Sequence, residues 1–177
     1  MKKQHDTKGT IFIGVAFIIM IILFVSSSMT YQEQNVQPLL NRLLAGEPMK
    51  NLLSGIRFSY AGSEVSVQAS GYLGFVEFFI RKGAHFSIFL LLGVSWFMGL
   101  KNKTSSYILA AMLALLLAAG YASFDELRQA FNPDRTALLE DVFIDSMGAL
   151  TGILLTWLTI SKWSSKKSRR KKLKFSR

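Results

Sequence analysis

Three pairs of polar residues in this 177-residue chain have helical spacing. Lys82 and His85 are three apart, Asp125 and Gln129 four apart, and Asp141 and Asp145 four apart. On a helix, each pair shares one face. With Glu126 and Arg135 they make a set able to do acid–base and anion-binding chemistry. His85 is a candidate general base or acid, with Asp125, Glu126 or Asp141 orienting it. Lys82 and Arg135 suit a phosphate, the arginine in bidentate fashion. Gln129, Asp141 and Asp145 complete a candidate binding set. Imidazole with carboxylates also suits Zn or Mn, so a metal variant stays open and no cofactor is assigned. The chain has no cysteine, which excludes disulfides and thiolate chemistry. No serine or threonine stands out as a nucleophile, so a hydrolysis would use water.

Plainer roles exist for the same residues. Arg81 and Lys82 alone would be interface anchors, because long basic side chains snorkel to head groups. Residues 125–128 alone would be a solvated helix end, and His85 alone a hydrogen-bonded structural histidine. Asp145 is harder to explain away, because it sits in an apolar surrounding. A charge within a bilayer costs several kcal/mol unless it is paired or wet.

The elements that must position these residues follow from the charge distribution. Residues 11–30, 85–100, 107–124 and 146–161 carry no Asp, Glu, Lys or Arg. The segments before the first, between the second and third, and after the fourth hold fourteen Lys or Arg and one acid, Asp6. The two remaining segments hold seven Lys or Arg and ten acids. Such alternation is what the positive-inside rule produces in a protein with four transmembrane helices and both termini cytoplasmic. A span needs ~20 mostly apolar residues at ~1.5 Å each. The first stretch meets this alone, and the other three reach it with polar flanks in the head-group zone. The expected fold is therefore an all-α membrane protein, one domain over residues 1–177. The net charge of +10 is then mostly a topology signal, and nucleic acid is not an expected partner. Residues 1–25 have the basic start of a signal peptide, but the apolar run is too long and no Ala-x-Ala site follows. It is expected to stay as helix 1.

Between helices 1 and 2 lies an outer segment of roughly fifty residues. Residues 38–44 read as a short amphipathic helix with proline in its first turn. Residues 49–56 read as a second one, lying on the membrane surface or over the bundle. Residues 63–68 alternate polar and apolar, which suits a short strand. Helix 2 is expected from about Gly74 to Leu100, and residues 101–106 make a tight inner loop. Helix 3 is expected to run from Tyr107 through Ala130, stopped by Asn132-Pro133. Thr136 is the expected cap of helix 4, with Glu140 and Asp141 in its first turns. The tail, residues 162–177, holds nine Lys or Arg; it anchors topology and suits anionic inner-leaflet lipid.

Depth ties the polar set together. His85 lies sixteen residues before Lys101 and Asp145 seventeen before Lys162, so both stand ~24–25 Å above the inner interface. Asp125 lies twenty-two residues after Lys103, or ~33 Å. Three helices thus bring polar residues to one outer level. Gly148 and Gly152 form a small-xxx-small step, read as a packing surface.

At these residues the chain resembles the VanZ-like membrane proteins. Arg81-Lys82-Gly83-Ala84-His85-Phe86 is similar to their basic-plus-histidine motif. Phe124-Asp125-Glu126-Leu127-Arg128-Gln129, with Arg135 beyond it, is similar to their Asp-Glu-x-x-Gln…Arg motif. Asp141, Asp145, Gly148 and Gly152 resemble the last-helix motif, with Asp at 145 where the family usually has Asn. The core of the match is 75–152. The resemblance implies a multi-pass protein of the bacterial cytoplasmic membrane, mainly in Gram-positive organisms. It also implies a link to low-level teicoplanin resistance, without naming a reaction. One expected function is thus an envelope or glycopeptide response, acting on a lipoglycopeptide or lipid-linked envelope precursor at the outer leaflet. An enzyme on a lipid-linked or phosphate-bearing substrate is the alternative. A hydrogen-bonded structural plug is a third.

Overall fold

The structure is a computed structural model that describes residues 2–30, 33–34, 36–131 and 137–175, with side chains described for those between 7 and 163. Six helices and one hairpin follow in order: α1 (Lys2–Ser28), α2 (Gln37–Leu43), α3 (Lys50–Leu53), β1 (Arg57–Tyr60), β2 (Ser63–Ser66), α4 (Val67–Leu100), α5 (Tyr107–Gln129) and α6 (Leu139–Phe175). Four segments are long and apolar enough to cross a membrane: Thr7–Ser28, Val67–Leu100, Tyr107–Gln129 and Leu139–Trp163. The four-span expectation from charge patterning therefore holds.

The bundle core is Phe89, Leu92, Phe97 and Ile153, closed by small residues from the neighbouring helices. Helix α5 contributes Ala110, Ala114, Ala118 and Ala122, all essentially buried and spaced four apart. Large apolar side chains such as Ile18, Ile21, Leu116 and Leu155 point outward, as lipid-facing positions should. Inside a bilayer, apolar burial gives little drive for helix association, so close backbone approach and interhelical polar contacts carry more of the packing.

Glycines give the closest approach. A methyl group on Gly148 would overlap the Phe86 carbonyl oxygen, and one on Gly152 the Leu90 carbonyl oxygen. Gly93 is equally tight against Ala149. Helices α4 and α6 therefore touch backbone to backbone. The contacts climb in step along both chains, so the two helices run parallel. At the far end of the bundle, Gly9 of α1 approaches Gly99: a Cβ there would lie 3.1 Å from the Gly99 carbonyl oxygen and 3.7 Å from Lys103 Cε. The start of α1 and the loop at residues 101–106 thus share one end, called here the basic end.

The segment between α1 and α4 caps the opposite end. Strands β1 and β2 pair antiparallel, with Tyr60 opposite Ser63. The two-residue turn is Ala61-Gly62, both at positive φ (51° and 78°), as a type I′ hairpin turn requires. Val65, Val67, Tyr72 and Phe75 form a second small core beneath it. Tyr72 donates a hydrogen bond to the Pro48 carbonyl at 2.8 Å, tying down the preceding loop.

Three boundaries differ from the sequence reading. Helix α4 begins at Val67 rather than Gly74, because Ser66 caps it by accepting from the Ala69 amide at 3.0 Å. Gly71 then breaks the helix with φ 73° and ψ 166°, so the first turn is set off from the span. The extended stretch at 63–68 is a strand only to Ser66, and its partner β1, whose residues Arg57-Phe58-Ser59-Tyr60 also alternate, was not anticipated. The second short helix covers only Lys50–Leu53. Asn132, Pro133 and Thr136, expected to stop one helix and cap the next, lie outside the described residues.

Replacing Gly148 with leucine should lower the melting temperature in detergent by several degrees, as overpacking costs about 1–3 kcal/mol. Alanine at Gly120, which has nothing within 4 Å of its would-be Cβ, should leave it unchanged or higher.

Candidate functional site

The parallel α4–α6 contact sets a ladder of polar pairs just beyond the glycine step. Residue 86 meets 148 and residue 90 meets 152. One turn towards the hairpin end, His85 faces Asp145, with Nδ1 and Oδ2 3.4 Å apart. One turn further, Lys82 forms an ion pair with Asp141 Oδ1. The Tyr60 hydroxyl, delivered by β1, donates to that same oxygen. The Lys82 ammonium also lies 4.8 Å from the Tyr60 ring centroid and 5.6 Å from that of Phe78, within cation–π range. Burial and the Asp141 hydrogen bond push the Tyr60 phenol well above its ordinary pKa. It therefore stays a donor across physiological pH.

The pairs differ in access. The Asp145 side chain is 6% exposed and that of His85 36%. The carboxylate thus sits behind the imidazole and holds Nδ1, which leaves Nε2 as the nitrogen to meet a ligand. Asp145 Oδ1 is buried without a hydrogen-bond partner.

Helix α5 brings a second set to the same end. Asp125 is buried, and its Oδ2 accepts from Gln129 Nε2 at 3.0 Å. Its Oδ1 has no partner. Asp125 and Asp141 both lie within electrostatic range of His85, while the contact to the imidazole is made by Asp145. Glu126 is turned to another task. Its Oε1 accepts from the Leu138 amide at 2.6 Å, fastening the end of α5 to the residue that precedes α6. Arg135 lies outside the described residues. Among the described residues, no three His, Cys, Asp or Glu side chains converge as a metal site would require.

Three participants escaped sequence reasoning. Tyr60 ends a strand whose alternation, Arg57-Phe58-Ser59-Tyr60, was the available signal. Arg128 donates to Ser28 Oγ at 2.7 Å, to the Phe24 carbonyl at 2.5 Å and to Ser27 Oγ. Its guanidinium lies 4.1 Å from the Phe24 ring centroid. It caps the C-terminal end of α1, where a cation complements the helix dipole. Glu77 is 2% exposed and accepts from Gln37 Nε2 at 2.7 Å. A lone acid in the run Phe75-Val76-Glu77-Phe78-Phe79-Ile80 was the available signal.

A family model described as VanZ/LLP1 matches residues 12–160, taking in all four spans and every residue of the ladder. No curated protein and no solved structure matches the chain.

The Lys82–Asp141 pair should show coupling in a double-mutant cycle of Lys82→Met and Asp141→Leu, read by unfolding in detergent. The double variant should lose less than the two single losses added, by about 0.5–3 kcal/mol. Additive losses would mean the pair does not act as a unit.

Proposed function

The chain belongs to the VanZ/LLP1 family, and on that premise we propose that it binds an amphiphilic envelope molecule at the outer face of a bacterial cytoplasmic membrane. The role fits an envelope or glycopeptide response, against drugs of the teicoplanin type. The single observation that carries this reading is the His85–Asp145 pair, half open and backed by a buried carboxylate at the end of the bundle. A ligand with one end in lipid and one in water meets the protein at that level.

Orientation rests on charge. The basic loop at 101–106 and the start of α1 share one end of the bundle. The positive-inside rule puts that end in the cytoplasm, with the C-terminal tail on the same side near anionic lipid. The ladder then faces outward. A pathway across the bilayer has little support, since residues 11–30, 85–100 and 107–124 of the first three spans carry no acid, Lys or Arg.

One observation favours a second reading, an enzyme acting on a lipid-linked or phosphate-bearing substrate. Asp145 holds His85 by Nδ1, the arrangement in which a carboxylate fixes the tautomer of a proton-accepting histidine. Lys82 and Arg135 would then serve the phosphate, and Asp125 with Gln129 would line the approach.

Asp145→Asn separates the two. An asparagine keeps a hydrogen bond to the ring but removes the carboxylate charge. A binding role predicts that Asp145→Asn retains protection against lipoglycopeptides while His85→Ala loses it at unchanged protein abundance. Acid–base chemistry predicts loss in both. Wild-type susceptibility in a His85→Ala strain would overturn both readings.

A further inference from the structure

Beside the ladder lies a cavity of about 240 Å3 with different chemistry. One stripe of α4 lines it: Ser70, Gly74, Glu77, Phe78, Arg81 and Lys82. From Gly74 to Lys82, steps of three and one keep these residues on a single helix face, with Ser70 just before the break at Gly71. Strand β2 closes the other side with Glu64 and Val65. Acid and base are segregated along the stripe. Glu77 and Glu64 stand nearer the hairpin, Arg81 and Lys82 one turn further into the bundle.

Glu77 is the informative residue. It is 2% exposed, and its Oε2 already accepts from Gln37. Its Oε1 is buried with no hydrogen-bond partner. A buried carboxylate oxygen left without a donor is costly, so the site is built for a donor the chain does not supply. The second pole is basic. An ammonium suits the bare oxygen of Glu77, and a phosphate suits the positive charge of the Arg81 end, an anion that arginine holds well. Phe78 forms an apolar wall between them.

Size and height narrow the ligand further. At ~30 Å3 per water, the cavity matches roughly eight waters, which is a small head group and far less than a glycopeptide. Glu77 stands twenty-four residues before Lys101, so ~36 Å along the helix axis. That exceeds the ~30 Å hydrocarbon thickness and puts the cavity in the head-group layer opposite the basic end. Leu39, Leu43, Leu52 and Phe79 expose apolar surface in the same outer region.

We propose that this cavity binds the head group of a phospholipid carrying a primary amine next to its phosphate, of the phosphoethanolamine kind, with the ammonium on Glu77 and the phosphate at Arg81. This deepens the reading of an outward amphiphile site and rests on its orientation. It assigns ligand class to a cavity that shares Lys82 with the ladder.

The test is lipid binding to purified full-length protein in detergent, followed by native mass spectrometry. The probes are phosphatidylethanolamine, phosphatidylcholine and phosphatidylglycerol with identical acyl chains. Phosphatidylethanolamine should bind about tenfold tighter than either, the equivalent of one charge-assisted hydrogen bond. Soluble glycerophosphoethanolamine should displace it, and glycerophosphate should not. Glu77→Gln, nearly isosteric, should abolish the preference. Ser70→Leu, which fills the cavity from its edge and leaves Glu77 in place, should do the same and guards against a folding defect at Glu77. Equal binding of the three lipids by wild-type protein would overturn the assignment, as would a preference that survives both variants. The drug-susceptibility phenotype of His85→Ala is read separately, so failure here is distinguishable from failure of the broader function.

Discussion

The backbone contact between α4 and α6 is the constraint on which the rest of the structure depends. Gly93, Gly148 and Gly152 let two parallel helices approach until carbonyl oxygens meet Cα atoms. In a membrane such proximity is a main source of association energy. It also fixes register. With 86 against 148 and 90 against 152, the next turns can only place 85 beside 145 and 82 beside 141. The polar pairs are thus positioned by residues that have no side chain. A slip of one turn would set one of the two carboxylates against Phe78 or Phe89 instead of a basic side chain, so packing and polar satisfaction select the same arrangement.

That arrangement divides labour among charged groups of similar sequence context. Asp141 takes both Lys82 and Tyr60 on one oxygen. Asp145 faces a half-open histidine and keeps one oxygen unused. Glu126 and Arg128, adjacent in the same polar run, serve architecture: one fastens α5 to the entry of α6, the other caps α1. Glu77 stands apart, paired on one oxygen to α2 and bare on the other. Partner and access, rather than residue type, separate the scaffold from the open groups.

Much of this was legible in the chain itself. Four uncharged stretches revealed the spans, and counting residues from the basic segments gave a common depth for His85 and Asp145, which do pair. The glycine step on α6 could be read as packing. Other features were hidden for physical reasons. The reach of α4 back to Val67 depends on a serine cap and a glycine break, short-range features that hydropathy does not register. The hairpin depends on turn geometry at Ala61-Gly62, with an alanine where asparagine or glycine would have been the recognisable sign. Tyr60 and Asp141 are 81 residues apart, and spacing rules reach only a turn or two. Glu126 was read as chemistry because its partner, a backbone amide, leaves no trace in the sequence.

Arg128 holds α1 across a separation of 100 residues, through the helix end at Ser28, Ser27 and Phe24. Helix α1 is made before α4 and α5, yet its two ends are held by different partners. Near the basic end it meets α4, where Gly9 lies against Gly99, so that contact can form once the second span is made. Its other end waits for a guanidinium that comes at the close of the third span. The two ends of α1 are therefore fixed by groups made at different times.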